Sequence, residues 1–159
     1  MWRTQKTWCI AALAARDCEE MRLSKKAECG TRALLQLAAN YGKGVIPLSD
    51  IAAREGISVK YLEQLMMPLR RAGLVTGTRG ALGGYSLKKP PWEIRIGELL
   101  RALEERLEPT DCSGDLPSCE RSGRCKARPL WVHLSRAVQK ALDEMTLQDL
   151  LRESPPVSE

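Results

Sequence analysis

The chain has 159 residues, 43% of them apolar, with 25 Lys and Arg against 20 Asp and Glu, a formal charge of +5 and no Phe. This length holds one ordinary domain, or a small domain with a dimerising arm, around an aliphatic core. No run approaches the ~18 apolar residues of a membrane span, and the modest basic balance is compatible with a phosphate-bearing partner without requiring one.

In chain order, Arg3 and Lys6 precede the apolar run Trp8 to Ala15. That run sits at the short limit for a secretory signal, and Arg16-Asp17-Cys18-Glu19-Glu20 follows it directly. Residues 1–20 are therefore expected to be an extension, or an upstream start chosen over Met21. A cytoplasmic, reducing location with no membrane association is expected, in which the six cysteines favour metal or redox chemistry over structural bridges.

From Ala27 to Tyr41, the residues Ala33, Leu34, Leu37, Ala38 and Tyr41 recur at three- and four-residue steps, one face of a helix stopped by Gly42-Lys43-Gly44. Ser49 is placed to cap a short helix over Asp50 to Glu55, with Asp50 complementing its positive end. Gly56 allows a sharp turn, and Ser58 can cap the next helix, which runs to about Ala72 with Leu62, Leu65, Met66 and Leu69 on its buried side. Two helices joined this way form a helix-turn-helix. Leu74 to Arg79 and Gly84 to Leu87 read as two short strands around a Gly-containing tip, which makes the module a winged helix closed by Pro90 and Pro91.

A helix over about Ile96 to Leu107 aligns Leu99, Leu100, Leu103 and Leu107. Then Cys112, Cys119 and Cys125 fall in a Gly-, Ser- and Pro-containing segment too poor in apolar residues to be ordered by a core. Thiolates at this spacing can turn onto one soft metal centre. A longer amphipathic helix, about Pro129 to Met145, aligns Leu130, Leu134, Val138, Ala141, Leu142 and Met145. This stripe has no helix of equal length to meet in the same chain, so a two-fold homodimer is expected, the alternative being packing onto the winged domain. Thr146 and Asp149 can begin a last turn before a frayed tail at Ser154-Pro155-Pro156.

The expected fold is mainly α with a small β-hairpin wing. It comprises an N-terminal extension (1–20), a winged helix-turn-helix DNA-binding domain (21–92), a connecting helix (93–109), a cysteine loop (110–128), a dimerisation helix with its final turn (129–151) and a flexible tail (152–159).

Specific residues now carry a resemblance. Met21 to Ser24, Gly56 to Leu65, Pro68 to Val75, and Arg79-Gly80 with Gly83-Gly84-Tyr85 resemble the Rrf family of winged-helix regulators, in its IscR- and NsrR-like branches. The resemblance runs from Met21 to Leu151, through the three cysteines and the Leu130-Trp131 and Thr146-Leu147 marks. It implies a homodimeric transcription regulator, a repressor of double-stranded promoter DNA, sensing iron, redox or nitric oxide status through an iron–sulfur cluster, 2Fe-2S or 4Fe-4S. It also implies Glu28 as the fourth ligand, donated from the partner subunit, beside Cys112, Cys119 and Cys125. Two departures stand out. Arg128 occupies the position where IscR-like members carry a ligating histidine, and it has no lone pair to give. Ala81-Leu82 replaces the usual Pro-Gly at the wing tip.

Other readings of the same residues stand beside this one. The trio also suits zinc or a cluster-free thiol switch, since all use deprotonated sulfur in a segment containing Arg121, Arg124 and Lys126. Glu28 also reads as a solvated first-turn glutamate, Cys29 as a rival ligand or, more simply, a small buried residue, and His133, the sole histidine, as an exposed or hydrogen-bonded helix position rather than a ligand. Cys9 and Cys18 lie in the unmatched extension.

For DNA, Ser58, Lys60, Tyr61, Glu63 and Gln64 occupy the part of the second helix that enters a major groove. Glu63 can accept from cytosine N4, Gln64 can bond adenine, and Lys60 can reach guanine or phosphate, although Tyr61 and Gln64 also suit a role supporting the turn. Arg79 can enter a narrow minor groove, with Lys43, Arg70 and Arg71 as phosphate contacts or a solvated face. No nucleotide fingerprint or acid–base pair accompanies the cysteines, so an enzyme is not expected, and an electron carrier or a protein-binding adaptor are lesser alternatives.

Overall fold

In the computed structural model, the described residues are 24–80, 83–103, 107, 113 and 123–153. Helix α1 spans Lys25–Ala39, two residues ahead of the expected start, because the Ser24 hydroxyl accepts from the Ala27 amide at 3.2 Å. Its inner face is Ala27, Cys29, Gly30, Ala33, Leu34, Leu37 and Ala38. Tyr41 lies beyond the helix, 42% exposed, and meets the Trp92 ring edge-on at 5.9 Å instead of joining that face. The stop signal works as expected, since Gly42 and Gly44 both take positive φ.

Helix α2 is Leu48–Glu55 and starts directly after Pro47. Ser49 is therefore inside the first turn and does not cap it; its hydroxyl donates to the Asp50 carboxylate at 3.1 Å. Gly56 closes α2 at φ 65, a left-handed conformation that glycine adopts without steric cost. Helix α3, Val59–Arg71, is capped by Ser58, whose Oγ accepts from the Tyr61 amide at 3.2 Å. Its buried side is Leu62, Leu65, Met66 and Leu69, as the periodicity predicts.

Strands β1, Val75–Thr78, and β2, Gly84–Leu87, pair antiparallel with Val75 opposite Leu87 and Thr78 opposite Gly84. Ile46 adds a bridge to Tyr85 through two 2.9 Å backbone bonds, which ties the wing to the segment ahead of α2. The approach is close enough that a side chain at Gly84 would collide with the Ile46 carbonyl oxygen.

After a 3₁₀ turn at Pro91–Glu93, α4 covers Ile96–Ala102 and ends at Leu103, short of the expected Leu107. Leu99, Leu100 and Leu103 are nevertheless all buried, and Leu107 is buried as well. Helix α5 is Arg128–Glu144 and α6 is Leu147–Glu153. A capping exchange begins α6: Asp149 accepts from the Thr146 amide (2.9 Å) and hydroxyl (2.6 Å), while the Thr146 hydroxyl accepts from the Asp149 amide. These bonds hold the Asp149 carboxyl below its ordinary value.

One aliphatic core joins these elements: α1 packs against α2, α3, α4, α6 and the wing. Helix α5 stands apart, contacting mainly α4 and burying only Ser135. Its C-terminal end is fastened by Ile96 N–H to Met145 O, Leu147 N–H to Ile94 O, Arg95 to Glu144 O and an Arg101–Asp143 ion pair at 2.7 Å. Gly97 lies against this junction, where a side chain would displace the Asp143 carboxylate. Among the described residues, no helix is long and apolar enough to cross a membrane.

Candidate nucleic-acid interface and thiol site

The cap at Ser58 fixes where α3 begins and therefore which side chains stand on its outer face. Lys60, Glu63, Met67 and Arg70 recur at three- and four-residue steps and are all exposed. Lys60 and Glu63 form the N-terminal part of this row, the part that a major groove admits. Gln64 is exposed beside them, and Tyr61 is half-buried against the core. Ser58 is exposed, and although its oxygen accepts from Tyr61, its hydroxyl proton remains to donate. At the wing, Arg79 is exposed just past β1, next to Gly80 at φ 118. The expected tip residues Ala81 and Leu82 lie outside the described residues. The row therefore combines two cations, a carboxylate and a thioether on one helix, with a third cation on the hairpin.

Glu28 lies in the first turn of α1, its carboxylate 2.7 Å from Lys25 Nζ and 3.8 Å from Arg32. The Lys25 hydrogen bond, and then its charge, hold the Glu28 carboxyl below the usual glutamate range. The pair is exposed, so Lys25 binds it weakly and a competing partner can take it. Arg32 turns its guanidinium to Glu55 at the end of α2, bonding both the enclosed carboxylate and the carbonyl oxygen. Gln36 donates to the same carboxylate at 2.9 Å. This brace between α1 and the helix-turn-helix was not foreseen; its partners lie 19 and 23 residues apart and carry no local signal.

Cys125 is a free, half-buried thiol just before α5, and its carbonyl accepts from the Arg128 amide at 3.2 Å. Arg128 opens α5 and also makes a further interaction. Cys112 and Cys119, and likewise Cys9 and Cys18, lie outside the described residues. Cys29 is buried on the inner side of α1, in keeping with a packing role. His133 is exposed on α5. Among the described residues no three His, Cys, Asp or Glu side chains gather as metal ligands, so Glu28 and Cys125 of one chain do not form a centre by themselves.

Comparison with known proteins follows the same outline. Residues 23–153 match a family described as Rrf2, iron-dependent transcriptional regulator. The chain is 40% identical over 134 residues to protein rrf2 of Nitratidesulfovibrio vulgaris, covering 84% of this chain and 89% of that one. It is also 40% identical over 131 residues to the HTH-type transcriptional regulator IscR of Aliivibrio salmonicida, covering 82% and 77%. Among solved structures, CymR (YrzC), the global cysteine regulator of B. subtilis, superimposes with a TM-score of 0.70 at 37% identity, over 86% of this chain and 100% of that one.

Proposed function

The chain belongs to the Rrf2 family and is a DNA-binding transcription regulator, not an enzyme; from that premise we propose that it is a cytoplasmic homodimeric repressor whose hold on double-stranded promoter DNA is set by an iron–sulfur cluster, 2Fe-2S or 4Fe-4S. The observation that carries the reading is the position of Cys125, a free thiol at the root of α5, a helix whose apolar side is only partly covered among the described residues. Burying that side against a second copy gives two reading helices related by a two-fold axis, the arrangement that a palindromic operator requires.

The donor chemistry suits the cluster. Cys112, Cys119 and Cys125 supply thiolates, and Glu28 supplies an ionised carboxylate that its Lys25 partner holds only weakly. On this reading Glu28 serves the centre of the partner subunit, which makes the ligand set complete only in the dimer. Bound there, the cluster supplies a centre that reacts with oxidants and nitric oxide. The chain's own residues do the rest. Glu28 leaves Lys25, while Arg32 and Gln36 keep α1 fastened to Glu55 beside the helix-turn-helix, so a displacement of α1 is felt at α2. Lys60 and Glu63 read base edges, Ser58, Tyr61 and Gln64 position the helix entry, and Arg79 enters the minor groove.

Visible absorbance and iron and sulfide content of anaerobically purified protein test the cofactor. Wild type is expected to be coloured, Cys119→Ala colourless with altered operator affinity, and Glu28→Ala to hold its iron less firmly. Undiminished colour in Cys119→Ala would falsify this ligand set. On DNA, Glu63→Ala is expected to relax base preference by about 1–3 kcal/mol at one position with little loss of nonspecific binding. A uniform loss across sequences places Glu63 away from the bases. A colourless wild type supports a second reading, a cluster-free thiol or metabolite-responsive regulator, favoured by the likeness to a cysteine regulator and by Arg128 at the position of a ligating histidine.

A further inference from the structure

Helix α3 presents three rows of side chains, roughly a third of a turn apart at about 100° per residue. One is the core row, Leu62, Leu65, Met66 and Leu69; the second is the outer row, Lys60, Glu63, Met67 and Arg70. The third, Tyr61, Gln64, Pro68 and Arg71, lies between them, with Tyr61 resting partly on the core. It forms one wall of a cavity of about 300 Å³, closed by Lys26 from the start of α1 and Leu103 from the end of α4. That volume is at the small end for ligand pockets.

The lining has a definite chemistry. Leu65 and Leu103 are buried and Pro68 is half-buried, giving an apolar floor. Leu103 sits where it does because Gly30 of α1 makes room; a side chain on Gly30 would meet the Leu103 methyl at 2.5 Å. Above the floor stand two cations, Lys26 and Arg71, both exposed. Among the described residues no acidic side chain lines the cavity, and neither cation takes part in an ion pair. The Tyr61 phenol and Gln64 amide add polar groups that can hydrogen-bond.

We propose that this cavity is a binding site for a small organic carboxylate with an apolar body, held by Lys26 and Arg71 over the Leu65–Pro68–Leu103 floor. An inorganic anion would leave the floor unused, and a neutral apolar molecule would leave two cations unanswered. Occupancy touches the reading helix along its third row and Leu103, which ends α4 ahead of the cysteine segment. Tyr61 and Gln64 thus serve the cavity as well as the helix entry. Among the described residues no cysteine lines the site, and the proposal does not depend on a cluster.

Met67 also lines the cavity, and its exposed methyl is a local reporter. The full chain, labelled with ¹³C in its methionine methyl groups, is titrated in the absence of DNA with 3-phenylpropionate, 3-phenylpropan-1-ol and inorganic phosphate. The Met67 signal is assigned by its loss in Met67→Leu. A saturable Met67 shift is expected for the carboxylate, with at least tenfold weaker binding of the alcohol and of phosphate, and a similar loss in Lys26→Gln and in Arg71→Gln. No saturable shift, or equal binding of the alcohol, overturns the site. Phosphate binding as tightly as the carboxylate reduces it to an anion pad and overturns the ligand class. Carboxylate binding unchanged in both variants removes the two cations from the site and overturns the proposal equally.

Discussion

Helices α3 and α5 are both amphipathic, yet they meet opposite fates. In α3, four of 13 residues are buried, all aliphatic or Met, and a serine caps the first turn. In α5, one of 17 is buried, a serine, and Ala127 at its start offers no side-chain cap. Leu130 is 60% exposed, and Leu134, Val138 and Leu142 are only half-covered. The difference lies in what the rest of the chain can offer. The core row of α3 finds α1, α2 and the wing, whereas α5 finds α4, a helix of seven residues. Among the described residues the stripe on α5 is thus only partly covered, the kind of apolar surface that interaction sites expose.

The largest effect that sharpens this contrast is in the core row. Leu69 is fully buried, and Leu69→Ala is expected to cost about 2–5 kcal/mol of folding stability, read by urea unfolding. A loss below 1 kcal/mol would show that α3 is no better packed than α5. Next, Leu130→Glu leaves the fold of one chain intact but raises the dimer dissociation constant at least about tenfold, or ~1.4 kcal/mol, by sedimentation equilibrium. A variant that sediments as wild type does would return the α5 stripe to packing within one chain. Smallest is the cap: Ser58→Ala removes the acceptor for the Tyr61 amide and is expected to cost about 1 kcal/mol, with the melting midpoint lowered by a few degrees. No change would mean that tertiary packing alone fixes the start of α3.

The order and type of elements were legible because each rests on local rules: apolar periodicity for α1, α3, α4 and α5, glycines at the stops, and serine at the α3 cap. Errors fell where two local rules competed. Ser49 is a good cap by residue type, but with Pro47 in the cap position the helix starts two residues too early for it to serve. Leu107 continues the α4 stripe and is buried, yet the helix has already ended at Leu103. Of the candidate site, Lys60 and Glu63 were readable from helical spacing alone. The Arg32–Glu55–Gln36 brace and the cavity beside α3 were not, since both depend on residues far apart in sequence brought together by the core.

The fastening at Ile94–Ile96 and Met145–Leu147 gives α5 a mechanical character. Its C-terminal end is bolted to α4 by backbone bonds and the Arg101–Asp143 pair, while its N-terminal end, about 25 Å away at 1.5 Å per residue, adjoins Cys125. With the fastening at one end only, a tilt of a few degrees about that junction would sweep the Cys125 end through an ångström or more, so any bond that the thiol makes would bear on the angle at which the whole arm leaves the body.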